Sequence, residues 1–336
     1  MNVWAHIADC LERGGACALV TVALAEGSSP RDSGARMIVT GNAEFHGTIG
    51  GGTLEFEAIR RAAAAVQTGV PAFSLQTVSL GPDLGQCCGG RVQLAIEVLT
   101  AEALDQARHL ASLEAQQGSF QTEARVTEQG LGQRRVSRRS CPGLFAIEAD
   151  ETSGSRSIIE QFGTRRRALF LFGAGHVGKA LVLALAPLPF EIFWIDSRRE
   201  QFPGPVPANV HKIASASPAS ELDQAPDGSF VLAMTHSHAL DEEIMARALL
   251  QQRFAYCGVI GSATKRARFQ KRLNARGLND ALVARMVCPV GVTAVNSKQP
   301  AAIAAGIAVD LLVRDEACHQ QAASGEGLAQ KRTHGR

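Results

Sequence analysis

The chain has almost no charge imbalance: among its 336 residues, 34 Lys and Arg stand against 32 Asp and Glu, a formal net charge of +2. So small a field gives no drive toward nucleic acid or an anionic membrane surface, and neither partner is expected. Long apolar runs are missing as well. The longest, around residues 180–190, is broken by Pro187 and Pro189, so no membrane span is expected. The first residues, Met1 to His6, carry neither a basic n-region nor an apolar h-region, and a cytoplasmic chain is expected. The eight cysteines include no CxxC pair and no regular spacing, which excludes a disulfide framework and a zinc knuckle and leaves most of them as buried thiols. Glycine is in excess instead, with 33 residues, many of them clustered where backbone can approach a ligand. Length and composition, 46% hydrophobic and 20% charged, fit two globular domains with cores of their own.

Val3, Trp4, Ile7, Ala8 and Leu11 recur at helical spacing, and Gly14-Gly15 ends the helix. A strand over 16–24 and a turn-rich loop over 26–36 come next. Gly47-Thr48-Ile49-Gly50-Gly51-Gly52 then leads into a helix with Leu54, Ile59, Ala62, Ala63 and Val66 on its apolar face. A second loop, 80–90, runs into a strand over 92–99, a helix spans 101–117, and weaker strands occupy 121–148. In that last stretch the basic run from Arg134 to Arg139 reads as a solvated face. The expected organisation is an N-terminal α+β domain over 1–148, a linker over 149–167, a Rossmann-like doubly wound parallel-sheet domain over 168–316, and a disordered tail over 317–336.

The second domain opens on a dinucleotide-type motif. The apolar strand Ala168 to Phe172 runs straight into Gly173-Ala174-Gly175-His176-Val177-Gly178, and a helix comes after it. Gly173 permits the tight turn, Gly175 the approach of a phosphate, and Gly178 the packing of helix on strand, while the helix tip offers free N–H groups to an anion. The next strand ends in Asp196, 23 residues after Gly173, near the usual offset of the ribose-binding acid. Further on, His236, His238 and Asp241 lie after another strand, where an HxH pair without a third ligand favours polar loop packing, and no metal is assigned.

Gly85-Gln86-Cys87-Cys88-Gly89-Gly90 is the unusual chemistry. Adjacent cysteines on a strand point oppositely, so they do not share one tetrahedral metal. One exposed thiolate, able to ligate a soft metal or carry sulfur, is one reading; two small apolar residues in a tight turn is the other. Taken together, EGSSPRDSGARM (26–37), GTIGGGTLEFEAI (47–59), LGPDLGQCCGG (80–90), LFGAGHVG (171–178), MTHSHALDEE (234–243), GVIGSATKR (258–266) and CPVGV (288–292) with SKQPAAIA (297–304) give the chain a resemblance to the XdhC/CoxI family. One departure is Ser237, where similar sequences often carry Asp.

The resemblance implies a molybdenum-cofactor chaperone. Such a protein holds and protects molybdopterin after metal insertion, supports its sulfuration with a cysteine desulfurase as sulfur donor, and delivers it to the molybdenum subunit of apo xanthine dehydrogenase. On this reading Cys87 or Cys88 contacts molybdenum or the incoming sulfur, flanked by Gln86, Gly89 and Gly90, while Gly50 to Gly52 and Gly173, Gly175, His176 and Gly178 offer phosphate-sized cradles. Glu55 and Glu57 lie near the first cradle and are expected to repel an anion there, which favours the second. Arg31 and Arg36 are candidate bidentate partners, and Asp196 completes the set. A homodimer is expected. Two rivals stand beside this reading: an NAD(P)-dependent oxidoreductase, which leaves GQCCGG unexplained, and an assembly factor for another molybdenum hydroxylase such as carbon monoxide dehydrogenase.

Overall fold

Hydrophobic periodicity decides the elements of the first unit. Val3, Trp4, Ile7, Ala8 and Leu11 share one face of α1 (Val3–Glu12) and are buried there. Strand β1 (Cys17–Glu26) alternates, sending Ala18, Val20 and Val22 into one core and Cys17 and Leu19 into another. The next elements are β2 (Arg36–Thr40), β3 (Phe45–Gly47), α2 (Gly52–Gln67), β4 (Ala72–Ser79), β5 (Arg91–Leu99) and α3 (Leu104–Gln117). Helix α2 covers the first face of the antiparallel sheet, ordered β3-β2-β1-β5-β4, and α1 and α3 contribute to the core on the second. The unit ends in a smaller sheet of β6 (Ser119–Thr127), β7 (Gly130–Leu131), β8 (Arg135–Ser137), β9 (Phe145–Ala149) and β10 (Arg156–Gly163), ordered β7-β6-β10-β9 with β8 also paired to β6.

The computed structural model describes residues 2–13, 15–80, 90–127, 130–137, 143–149 and 155–333, except for the side chains of 320–333. The chain divides into two units, Met1–Arg165 and Arg166–Arg336. Most of the stretch expected as a linker, 149–167, lies inside the first unit, and β10 occupies it. Ile158, Ile159 and Phe162 are buried there, because pairing with β6 and β9 gives this short strand neighbours on both sides.

In the second unit strands and helices alternate: β11 (Arg167–Phe172), α4 (His176–Leu185), β12 (Phe190–Asp196), β13 (Val210–Ala214), β14 (Phe230–Ala233), α5 (His238–Gln251), β15 (Tyr256–Val259), α6 (Ala263–Ala275), α7 (Asp280–Ala284), β16 (Met286–Val287) and α8 (Pro300–Thr333). All six strands are parallel, in the order β13-β12-β11-β14-β15-β16. This is the Rossmann order, with its reversal between β11 and β14. Leu169 and Leu171 of β11 face α4 and α8, whereas Phe170 and Phe172 belong to the core covered by α5, α6 and α7. The sheet is thus buried on both faces. The tail expected to lack periodic structure continues α8 to Thr333, consistent with its content of Ala, Gln, Glu, Leu and Lys, residues of high helix propensity. Among the described residues no helix is long and apolar enough to cross a membrane. Cys17, Cys257 and Cys288 are buried free thiols, and Cys10 and Cys318 are half-buried ones.

Candidate functional site

In an open parallel sheet the ligand crevice lies beyond the carboxyl ends of the strands, at the point where their order reverses. Here that point is flanked by the glycine turn after β11 and the loop after β14, and the two touch. Gly173 adopts φ +116°, and a Cβ on it would stand 2.4 Å from the Met234 carbonyl oxygen and 3.2 Å from Thr235 Cα. Gly178 is equally constrained, since its Cβ would stand 2.2 Å from the Gly173 carbonyl oxygen. Gly175 differs: it is the N-cap of α4, no side chain caps the helix, and a Cβ there would meet nothing within 4 Å. Gly173 and Gly178 serve close packing, whereas Gly175 leaves open space over an uncapped helix tip, whose free N–H groups suit an anion. His176, the first residue of the helix, is exposed.

Asp196, at the end of β12, is buried and fully engaged. Its Oδ2 accepts from the Ala174 N–H at 2.7 Å and from Arg198 Nη2 at 3.0 Å. Its Oδ1 accepts from the Arg198 N–H at 2.9 Å and from Arg198 Nε at 3.0 Å. Desolvation raises the Asp196 carboxyl, but the bonds from Arg198 and the two backbone N–H groups prevail and hold it below its ordinary value. The acid therefore braces the glycine turn and carries a guanidinium.

In the first unit two glycines press on the loop between β1 and β2. Gly50, at φ +129°, lies so close to the 26–36 loop that a Cβ would meet Pro30 at 2.7 Å, and Gly90 presses on the same loop from another side, 2.4 Å from the Ser28 carbonyl oxygen by the same measure. The Gly90 carbonyl also accepts from the Leu80 N–H at 2.8 Å, continuing the pairing of β4 with β5 by one residue pair.

Two comparisons of the sequence bear on these units. The sequence model of the XdhC and CoxI family matches residues 10–80, and that of the XdhC Rossmann domain matches residues 169–311. The chain belongs to the XdhC/CoxI family. That family is associated with the maturation of molybdenum enzymes. Among curated relatives, the uncharacterized protein YqeB of Escherichia coli (strain K12) is 26% identical over 319 residues, 93% of this chain and 46% of that protein. The chain thus spans about half the length of this relative. Among solved structures, a protein from Bacillus halodurans described as a xanthine dehydrogenase superposes with a TM-score of 0.73 at 21% identity, covering 94% of this chain and 96% of its own, which shows a shared fold.

The remaining site residues of this XdhC/CoxI member separate by environment. Cys87, Cys88, Gln86 and Gly89 lie outside the described residues. The Gly50 to Gly52 cradle is already filled, which corrects the expectation for it. Glu55 is drawn into the turn, where its Oε2 accepts from Thr48 Oγ1 at 2.5 Å, the Ile49 N–H at 2.9 Å and the Gly51 N–H at 3.2 Å. Burial pushes Glu55 up, but these hydrogen bonds outweigh it and its pKa is lowered. The carboxylate expected to repel an anion occupies the anion's place.

Arg36 is likewise corrected. Its side chain is buried, donating from Nη1 to the Gln161 carbonyl at 2.9 Å and from Nη2 to Glu160 at 3.4 Å, and its guanidinium stacks 4.1 Å over the Phe162 ring. Arg31 is exposed. Nor is the basic run wholly a solvated face. Arg134 is buried, its Nη1 and Nη2 donating to Glu97 at 2.6 and 2.7 Å and its Nη2 to Glu160 at 2.7 Å, while Arg135 stays exposed. The one sequence signal for this network is Glu97, a lone carboxylate inside the apolar strand β5; Glu160 sits in the mixed sequence of β10 and gives none.

The loop after β14 is held from below. Buried Asp241 accepts from the Thr235 N–H at 2.9 Å, from Thr235 Oγ1 at 2.8 Å and from Lys265 Nζ at 2.6 Å, and Lys265 also donates to the Ile260 carbonyl at 2.8 Å. Lys265, which in the sequence reads as one of a basic helix face, is turned inward here, and its pairing joins the loops after β14 and β15. His236 and His238 ride exposed on the loop so fixed. Two cavities of about 480 and 460 Å³ around Gln106 and Gln133 share no lining residue with the glycine turns, and nothing in their chemistry matches the motifs.

Proposed function

We propose that this chain binds the molybdenum cofactor in its molybdopterin form, shields it, supports its sulfuration with sulfur from a cysteine desulfurase, and delivers it to the molybdenum subunit of apo xanthine dehydrogenase. It acts in the cytoplasm, as a pair of identical chains, without turnover of its own. The observation that carries the reading is the family match in both units, one of which also holds the GQCCGG motif and the other the glycine turn. When bound, the cofactor supplies a soft metal–dithiolene centre with an exchangeable terminal ligand. The chain's own residues supply binding and protection. The open space over Gly175 and the uncapped tip of α4 suit a phosphate, and Cys87 or Cys88 suits a soft metal as a thiolate.

A second reading is favoured by the dinucleotide shape of the crevice: the client is then another molybdenum hydroxylase, such as carbon monoxide dehydrogenase, whose cofactor carries a nucleotide. An NAD-dependent oxidoreductase meets an obstacle at Asp196, whose acceptor positions are filled. The test is metal and pterin analysis of protein purified from molybdate-fed cells, for the parent chain and for Cys87→Ala and Cys88→Ala. The parent is expected to carry molybdenum with pterin, and at least one variant to lose most of it. Equal loading in all three removes the cysteines from the site.

A further inference from the structure

The acid of a dinucleotide crevice normally accepts two hydrogen bonds from the vicinal hydroxyls of a ribose. Asp196 has no acceptor position left for them. Each of its oxygens already takes two donors, at 2.7 to 3.0 Å, and one side chain, Arg198, supplies two of the four. A diol must therefore break a bidentate, charge-assisted pair on a carboxylate only 3% exposed. The Arg198 side chain is 32% exposed. It uses Nε and Nη2 on Asp196, and among the described residues Nη1 has no hydrogen-bond partner. Exposed Ser197 and Arg199 flank it. In dinucleotide crevices an arginine near this strand end accommodates a phosphate where an acid would otherwise take the free hydroxyl; here the arginine is present and the acid is tied to it.

We propose that Arg198 sets the ligand specificity of this crevice, closing Asp196 to a free ribose diol and offering its guanidinium to a phosphomonoester. The proposal deepens the reading of the crevice as a phosphate cradle and rests on that reading, though not on the ligand being a pterin. A phosphomonoester reaches such a site from two sources: the 2′-phosphate of a dinucleotide, or the one phosphate of the pterin cofactor, shared between the tip of α4 and Arg198, which Asp196 Oδ2 holds beside the glycine turn.

The experiment titrates the full chain, Arg198→Ala, and the double variant Arg198→Ala with Asp196→Asn, against NAD⁺ and NADP⁺ by calorimetry, and measures the pterin each retains from molybdate-fed cells. Arg198→Ala frees the carboxylate and should bind NAD⁺ at least about tenfold more tightly than the parent, the scale of hydrogen bonds to a charged group. The double variant keeps an acceptor for the Ala174 N–H but loses the charge, and should lose the gain. NADP⁺ bound at least about tenfold tighter than NAD⁺ by the parent, with the preference abolished in Arg198→Ala, identifies the dinucleotide phosphate. No such preference, together with a similar drop in retained pterin in Arg198→Ala, identifies the pterin phosphate. No gain for NAD⁺ in Arg198→Ala, or no phosphomonoester loss in either arm, overturns the proposal. A parent chain that retains no pterin counts against the maturation reading instead and leaves the NAD⁺ comparison intact.

Discussion

Arg134→Met should destabilise the first unit by about 3–5 kcal/mol, the usual cost of removing one partner from a buried ion pair. The side chain is 2% exposed and bridges Glu97 of β5 to Glu160 of β10, so the substitution leaves two carboxylates facing each other in a dry core. Arg36 reaches Glu160 only at 3.4 Å and is no substitute. Both carboxylates and both arginines join the two sheets of this unit, so its unfolding midpoint in denaturant should fall. The exposed neighbour provides the control: Arg135→Met should change stability by no more than about 0.5 kcal/mol. Equal midpoints for the two variants would mean that the network contributes nothing.

The second large effect is expected at the glycine turn. Gly173→Ala combines a left-handed backbone with a Cβ placed 2.4 Å from a backbone oxygen of β14's exit loop, and neither can relax alone. Strain of about 1–3 kcal/mol from the backbone and a similar amount from overpacking put the total at about 3 kcal/mol or more. Ligand binding should go with it, because the turn and the loop after β14 must separate. Gly175→Ala is the informative contrast. Its φ is −75° and its surroundings are empty, so the expected cost is only the roughly 1 kcal/mol of a poorer N-cap. A Cβ there nevertheless stands where a phosphate approaches, so binding should weaken while the fold persists. Thermal melts of both variants, read beside cofactor retention, separate the two roles. If Gly173→Ala melts like the parent, the turn is not packed as described.

The features legible in the sequence are those where one short segment determines its own environment. The strand into Gly173-Ala174-Gly175, the helix after it and the acid at Asp196 mark a Rossmann unit, because turn, phosphate approach and helix packing each demand a bare Cα at fixed spacing. Helix α1 is readable from Val3, Trp4, Ile7, Ala8 and Leu11 for the same reason. The elements that escape depend on partners distant in sequence. Strand β4 exposes residues on both faces as an edge of its sheet and shows no apolar run, and β10 hides between polar stretches until β6 and β9 pair with it. Arg134 reads as one of a basic series until Glu97 and Glu160 come to it from two other strands.

At the site, Glu55 is legible as a charge near a glycine turn but not as its occupant. A carboxylate four residues after Gly51 repels an incoming anion or fills the turn itself, and only the fold of the side chain onto Ile49 and Gly51 decides between them. Arg198 is visible in the sequence, two residues past the acid, and its pairing with Asp196 is local. The dinucleotide motif specifies the acid alone, so nothing in it singles out the arginine that covers that acid.

The most direct test of the central claim is anoxic equilibrium binding of isolated molybdopterin and of NAD⁺ to the same freshly purified chain. Saturable uptake of the pterin, with NAD⁺ bound weakly and not reduced, is the predicted result. No uptake of the pterin, together with tight retention of nicotinamide and oxidation of a small metabolite, would contradict it.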